Sequence, residues 1–205
     1  MILRRLRTVL GGGTPESRVE VLPDRVWISA RAKYDGIRRV LEHGLAHDVA
    51  AVGLVAHFPD VLAELERIVA DHGSPNARAF LARRLSADAA RDLPLAESVT
   101  IELIVAERHP LRAVDDELVE FASALPCRCL IMHHLSLDDP LMRRFAAGSV
   151  GALLERMGAK PDEPIVHTLI DRSIRRAQEK IAADVRAPME AASAADWMER
   201  NAPAA

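Results

Sequence analysis

Residues 49–55 read Val-Ala-Ala-Val-Gly-Leu-Val, a continuous apolar run with one glycine inside it. Strict alternation is missing, so both faces of this segment must be covered, as in the inner strand of a parallel sheet flanked by helices. The neighbouring text repeats the theme. Residues 99–105 and 128–132 are further β-branched and apolar runs, and 115–125 between them has helical spacing. Before the first run, Ile37, Val40, Leu41 and Leu45 recur at helical intervals over 31–47, and 59–72 opens at Pro59 and stops before Gly73. Strand, helix, strand, helix in this order predicts an α/β layer with parallel pairing. A further helix is expected over 77–92. After Ser136 the chain reads as helical, with an amphipathic segment over 165–187 whose stripe is Val166, Ile170, Ile174, Ala177, Ile181 and Val185 and whose stop is Pro188.

The chain has 205 residues, 49% hydrophobic and 28% charged, the profile of a globular protein. A net charge of −3 and an aromatic content of 3% give neither the basic footprint nor the stacking platforms that a nucleic-acid motor uses, so a nucleic-acid partner is not expected. No stretch approaches the roughly 20 apolar residues of a membrane span. Arg4, Arg5 and Arg7 interrupt the apolar start, so a secretion signal is not read there. The expected location is cytoplasmic, with the periphery of the inner membrane left open. Cys127 and Cys129 fall on one face of a strand about 7 Å apart, too far for a relaxed disulfide.

Two runs flanking a third carry a family resemblance. Glu107-Arg108-His109 precedes Glu117-Leu118-Val119-Glu120-Phe121-Ala122-Ser123-Ala124-Leu125, and Leu135-Ser136-Leu137-Asp138-Asp139-Pro140-Leu141-Met142-Arg143-Arg144-Phe145 follows. The outer two resemble, at the family's spacing, Thr-Glu-Arg-His-Glu-Ser-Arg-Arg-Ile-Asp and Leu-Ser-Leu-Glu-Asp-x-Leu-Met-Arg-Arg-Phe. These runs belong to the second nucleotide-binding lobe of SecA, the motor ATPase of bacterial preprotein translocation. Met157-Gly158, Asp162-Glu163-Pro164-Ile165 and Ala177-Gln178-x-Lys180 extend the resemblance toward that family's helical scaffold. Val26-Trp27 and Ala32-Lys33 resemble the opening of the lobe. The implied architecture is a RecA-like parallel sheet with flanking helices and a C-terminal helical extension. Its divisions are a leader and linker over 1–24, with Gly11-Gly12-Gly13-Thr14-Pro15 as the joint, a RecA-like lobe over 25–145, a scaffold-like segment over 146–190 and a tail over 191–205.

Between the two matching runs the family carries Gln-Leu-Arg-Gly-Arg-x-Gly-Arg-Gln, and here Val119, Phe121 and Ala124 stand at the arginine positions. Such arginines stabilise charge on a transferring phosphoryl group and are worth about 10³ to 10⁵ in rate. The family's Ala-Gly-Arg-Gly-Thr-Asp motif has no counterpart between Asn76 and Ser98, and no Gly-x-x-x-x-Gly-Lys-Ser/Thr phosphate loop is present. The resemblance therefore implies a non-catalytic lobe with no cofactor of its own. Its expected partner is a protein, either a SecA-type motor or a chain bearing the first lobe, with self-association as an alternative. Two enzymatic alternatives remain: a composite ATPase completed in trans with Arg108, Arg112 or an arginine at 143–144, and, more weakly, a helicase-type lobe acting on RNA.

Glu107, Arg108, His109 and Arg112 form the densest polar group at a strand end, where α/β folds place ligands. They read either as a residual contact to nucleotide or a facing lobe, or as ion pairs holding the strand end in place, and the second is favoured because such networks are common structural devices. Asp115, Asp116 and Glu117 read as first-turn acids that complement a helix dipole, and Ser136 and Asp139 as a capping box. Cys127, Cys129, His133 and His134 do not read as a zinc site, because adjacent His133 and His134 point to opposite faces of a strand and no second ligand pair with finger spacing appears nearby; no metal is expected. For the helix over 165–187, only about 18 residues follow, too few to shield both of its sides. An exposed apolar stripe is expected, with Ile174, Ile181 and Val185 as partner-binding anchors.

Overall fold

A computed structural model describes residues 18–47, 49–86, 96–145, 160 and 162–203. The glycine joint, Met157-Gly158, and residues 87–95 of the stretch between Asn76 and Ser98 lie outside the described residues. Within them run β1 (Val19–Val21), β2 (Arg25–Trp27), α1 (Ala30–His47), β3 (Ala51–Ala56), α2 (Pro59–His72), β4 (Ala77–Leu81) and β5 (Thr100–Val105). Then follow α3 (Arg112–Ser123), β6 (Arg128–Ser136), α4 (Pro140–Phe145), α5 (Thr168–Asp184) and α6 (Ala194–Asn201). Every strand pairing is parallel, in the order β1-β6-β5-β3-β4, and β2 continues the edge begun by β1, pairing with the far half of β6. This is the α/β architecture expected from the apolar runs, and it is consistent with a RecA-like lobe.

The two-residue period sorts the core into two layers. Ala51, Val55, Ile101, Leu103, Val105, Cys129 and Ile131 meet Leu118, Ala122 and Leu125 on the α3 side. Val52, Leu54, Ala56, Ile104 and Ala106 meet Ile37, Leu41, Leu65 and Ile68 of α1 and α2 on the other. Continuous burial of all six residues of β3 explains why its sequence shows no alternation. Gly53 is required there, since a Cβ would stand 2.8 Å from Leu103 Cδ2. Gly36 on α1 is still tighter: a Cβ would fall 2.1 Å from Trp27 Cζ2, so the helix lies directly on the indole.

The helix expected over 77–92 is corrected. Residues Ala77–Leu81 form the edge strand β4, a single 3₁₀ turn follows at Ala82–Arg84, and 87–92 lie outside the described residues. Pairing with β3 overrides the helix propensity of its alanines and arginine. The amphipathic helix also begins later than expected. Ile165 instead makes an antiparallel bridge with Val26, each N–H donating to the other carbonyl at 2.8 and 3.0 Å, and His167 accepts the Leu169 N–H as N-cap of α5.

The exposed stripe predicted on α5 is corrected too. Ile170, Ile174, Ala177 and Ile181 are buried in a third apolar cluster with Phe58, Leu135, Leu141, Met142, Trp197 and Met198, and Val185 packs half-buried against it. The tail supplies the cover: α6, capped by Ser193 Oγ accepting from the Asp196 N–H, lays Trp197 and Met198 over the stripe. Ile174, Ile181 and Val185 are therefore packing residues in this fold rather than exposed anchors. Among the described residues no helix is long and apolar enough to cross a membrane.

Candidate functional site

The carboxyl ends of β3, β5 and β6 converge on a buried polar network. Chain reversal at these ends leaves N–H groups that need acceptors, and Glu107, two residues past the end of β5, supplies one. Its Oε1 accepts the N–H groups of His57 and Phe58 at 3.0 and 3.1 Å, capping α2, whose own N-cap Phe58 has no side chain for that task. Arg108 forks onto Asp24 in the β1–β2 connection, with Nε 3.1 Å from Oδ2 and Nη2 2.6 Å from Oδ1, while Nη1 reaches Asp115 at 3.3 Å. His109 donates its N–H to Asp115 Oδ1 at 3.0 Å and accepts from Leu111 through Nδ1.

Asp115 is the hub. Beyond Arg108 and His109 it accepts from Gln178 Nε2 at 2.8 Å, and the same amide nitrogen lies 2.8 Å from the His109 carbonyl, which ties α5 to the sheet. His57 Nε2 is 3.0 Å from Asp115 Oδ1 but off the line of a straight N–H···O bond, so neither ring nitrogen of His57 has an aligned partner. Reading Asp115 as a first-turn acid alone understated it. Asp115 does sit in the first turn of α3, but it is 2% exposed and does its work across the fold. Asp116 and Glu117, by contrast, are exposed.

Burial and charge set the protonation of this network. Burial pushes the Glu107 carboxyl up to about 7, against the pull of His57 and Lys33. Burial lowers the His109 imidazole to about 4, with His57 adding to the effect. Burial also opposes the charge of Asp115, yet His57 and Arg108 beside it hold its carboxyl well below the usual range. His133 falls well below the ordinary histidine value through burial and the facing Arg108, and His134 falls to about 3 through burial and Arg25. Both ring nitrogens of His133 lack hydrogen-bond partners, whereas His134 Nδ1 accepts from Trp27 Nε1 at 3.2 Å. The expected capping box at Ser136 is half made. Asp139 Oδ2 accepts the Ser136 N–H at 2.8 Å, and Oδ1 takes the Ser136 hydroxyl while pairing with buried Lys33 at 2.7 Å.

Of the four residues singled out from sequence, Glu107, Arg108 and His109 meet in this network. Arg112 does not: it is half exposed, 3.6 Å from Asp116 on its own helix, at the rim of a groove of about 550 Å³. That groove runs between α3 and α5, with Asp24, Arg108, Asp115 and His133 at its base and Val21, Val119 and Val166 along its walls. Sequence reasoning missed Asp24, His57 and Gln178, whose partners lie far along the chain. Cys127 and Cys129 are buried thiols, and among the described residues no group of three or more His, Cys, Asp or Glu converges as metal ligands would.

No family model matches the sequence. Against curated proteins, it is 32% identical over 167 residues to the protein translocase subunit SecA of Syntrophobacter fumaroxidans, an alignment that covers 80% of this chain and 19% of that protein. The chain is SecA-related. SecA of Legionella pneumophila is 40% identical over 81 residues, and that of Acinetobacter baumannii 40% over 83, each match covering 40% of this chain and 9% of the relative. This chain thus corresponds to between 9% and 19% of the length of the SecA proteins it matches. Within the chain, the polar network is organised around the Glu107-Arg108-His109 strand end and Asp115.

Proposed function

We propose that this chain is a non-catalytic SecA-related lobe that docks onto a protein-translocation motor, or onto a chain bearing the first lobe, and biases its opening and closing. One observation carries the reading. Where the resemblance puts the phosphate-facing arginines of SecA, this chain has Val119, half-buried on the groove wall, and Phe121, half-buried against the sheet core. Neither can stabilise a developing phosphoryl charge. Arg108 is a poor substitute, because two carboxylates already hold its guanidinium. Supporting the same reading, Arg144 is committed to the Ala202 and Pro203 carbonyls and Arg143 pairs with Asp138 at 3.5 Å.

The test is a capture experiment with a calorimetric control. A purified SecA-type motor from the same cells should retain the chain on a column, while ATP titrated into the chain alone should give no micromolar binding isotherm. Tight ATP binding by the isolated chain, or failure of the motor to retain it, would overturn the proposal.

A second reading, a composite ATPase completed in trans, is favoured by one specific observation: Arg112 sits half exposed at the groove rim, and among the described residues its ion pair is a surface one to Asp116. If a first-lobe chain gains ATP turnover on mixing and Arg112→Ala removes that gain, the composite reading replaces the first.

A further inference from the structure

Asp24 and His133 lie side by side at the base of the groove between α3 and α5, both buried, at 5% and 1% exposure. His133 Nδ1 is 3.8 Å from Asp24 Oδ1, too long for a hydrogen bond, and neither ring nitrogen has a hydrogen-bond partner among the described residues. Burying an imidazole in this state is costly, so its nitrogens call for a polar group. The two-residue period of β6 explains the placement. Cys129 and Ile131 are covered by Leu118, Ala122 and Leu125 of α3, and His133, next on the same face, opens onto the groove.

Charge at this base is unbalanced. Asp24 and Asp115 share Arg108, and Asp171 of α5 lines the same groove with no ion-pair partner among the described residues. Burial raises the Asp24 carboxyl against the pull of Arg108, and Asp171 and Asp115 add to the rise. Three carboxylates thus converge on one guanidinium. The walls above are apolar, formed by Val21, Val119 and Val166. Val119 stands where the resemblance puts an arginine, so that positive charge is missing from the wall. At the mouth, Arg175 is exposed and has no ion-pair partner among the described residues.

An acidic base, apolar walls and a basic mouth complement a small zwitterion whose charges sit at opposite ends. We propose that the groove binds an ω-amino carboxylate, its ammonium among Asp24, Asp171 and His133, its methylene stem along the valines and its carboxylate on Arg175. Two acceptors 3.8 Å apart can each lie about 2.9 Å from one ammonium nitrogen, and the ammonium's three donors match the three groups. His133 accepts through Nδ1 and so carries its proton on Nε2. Burial keeps that imidazole neutral, as the role requires. The groove's volume of about 550 Å³ is in the ordinary range for small-molecule sites. Binding here needs neither nucleotide nor a motor, so it stands or falls apart from the proposed function.

Calorimetric titration of δ-aminovalerate into the full chain tests this, with valerate and cadaverine as probes that each lack one feature of the zwitterion. The zwitterion should bind with Kd between roughly 10 μM and 1 mM, and valerate and cadaverine at least about tenfold more weakly. Asp171→Asn, at a partly exposed position, and Val119→Arg, whose side chain can extend into the groove, should each weaken binding at least about tenfold while keeping the wild-type circular dichroism. Proton–nitrogen correlation spectra supply a readout at the base itself. On saturation the acceptor-type ring nitrogen of His133, assigned by its loss in His133→Phe, should move upfield. No binding at about 10 mM, valerate or cadaverine binding as tightly as the zwitterion, or saturation that leaves the His133 nitrogens unmoved would each overturn the proposal. Tighter binding of Nα-acetyl-lysine amide would also overturn it, and would assign the groove to a lysine side chain of a polypeptide.

Discussion

Arg108 grips Asp24 with two nitrogens, at 3.1 and 2.6 Å, and the two residues are 84 positions apart. This fork closes the β1–β2 edge onto the end of β5. Removing one partner leaves the other charge buried without compensation, which typically costs about 3–5 kcal/mol. Arg108→Ala is expected to lose stability of that order in urea denaturation, and Arg108→Lys to recover only part, because a single ammonium cannot reproduce the two-pronged contact. A loss below about 1 kcal/mol for Arg108→Ala would show that the pair is a surface-like contact.

Restoring arginine at Val119 and Phe121 is expected to produce no ATP turnover and to destabilise the chain. Phe121 packs against the α3-side core, so its replacement forfeits apolar contact, while an arginine at 119 can extend into the groove. The double variant should lose about 2–4 kcal/mol, chiefly through position 121, by thermal or chemical melting. Unchanged stability would mean that Phe121 lines an open cleft.

Opposing proton linkages meet in the buried network. His109, His133 and His134 have lowered values when folded, so stability is fully present above the ordinary histidine value and is lost as pH falls below about 6.5. Glu107 is raised from 4.5 to about 7, so its contribution is fully present below 4.5 and is lost as pH rises through 7. The two trends partly cancel between pH 4.5 and 6.5. Glu107→Gln removes one of them, and the variant's stability should climb more steeply with pH over that window than that of wild type. Parallel pH profiles would contradict the raised carboxyl.

Ile181→Asp is expected to unfold the C-terminal layer rather than to expose a free docking face. Ile181 is 2% exposed and shares its cluster with Trp197, so the substitution puts a charge into packed apolar surroundings. Emission from the indoles should shift to the red, with loss of cooperativity in the melt. A folded variant with unshifted fluorescence would place Ile181 at the surface after all.

The strands that bear the core were legible because burial on both faces leaves a plain apolar run, as over Ala51–Ala56. Shorter elements left no such trace. Val19–Val21 and Arg25–Trp27 are three residues each, and Ala77–Leu81 is made a strand by its neighbour β3 rather than by its own composition. The α6 cover was missed although Ser193 followed three residues later by Asp196 is a helix start that sequence can show. Local reading also identified Asp115 as a first-turn acid but could not see His57, Arg108 and Gln178 closing on it. That information lies in the topology of the sheet, which brings together strand ends dozens of residues apart.

On the proposed reading, this SecA-related chain acts on a motor without catalysing hydrolysis itself. The most direct measurement is steady-state ATP hydrolysis by a purified SecA-type motor from the same cells, titrated with this chain. A saturable rise or fall in the motor's turnover, with no turnover from the chain alone and the same response from Arg112→Ala, is the predicted result. Turnover by the chain alone, or a motor rate that stays flat through a large molar excess, would contradict it.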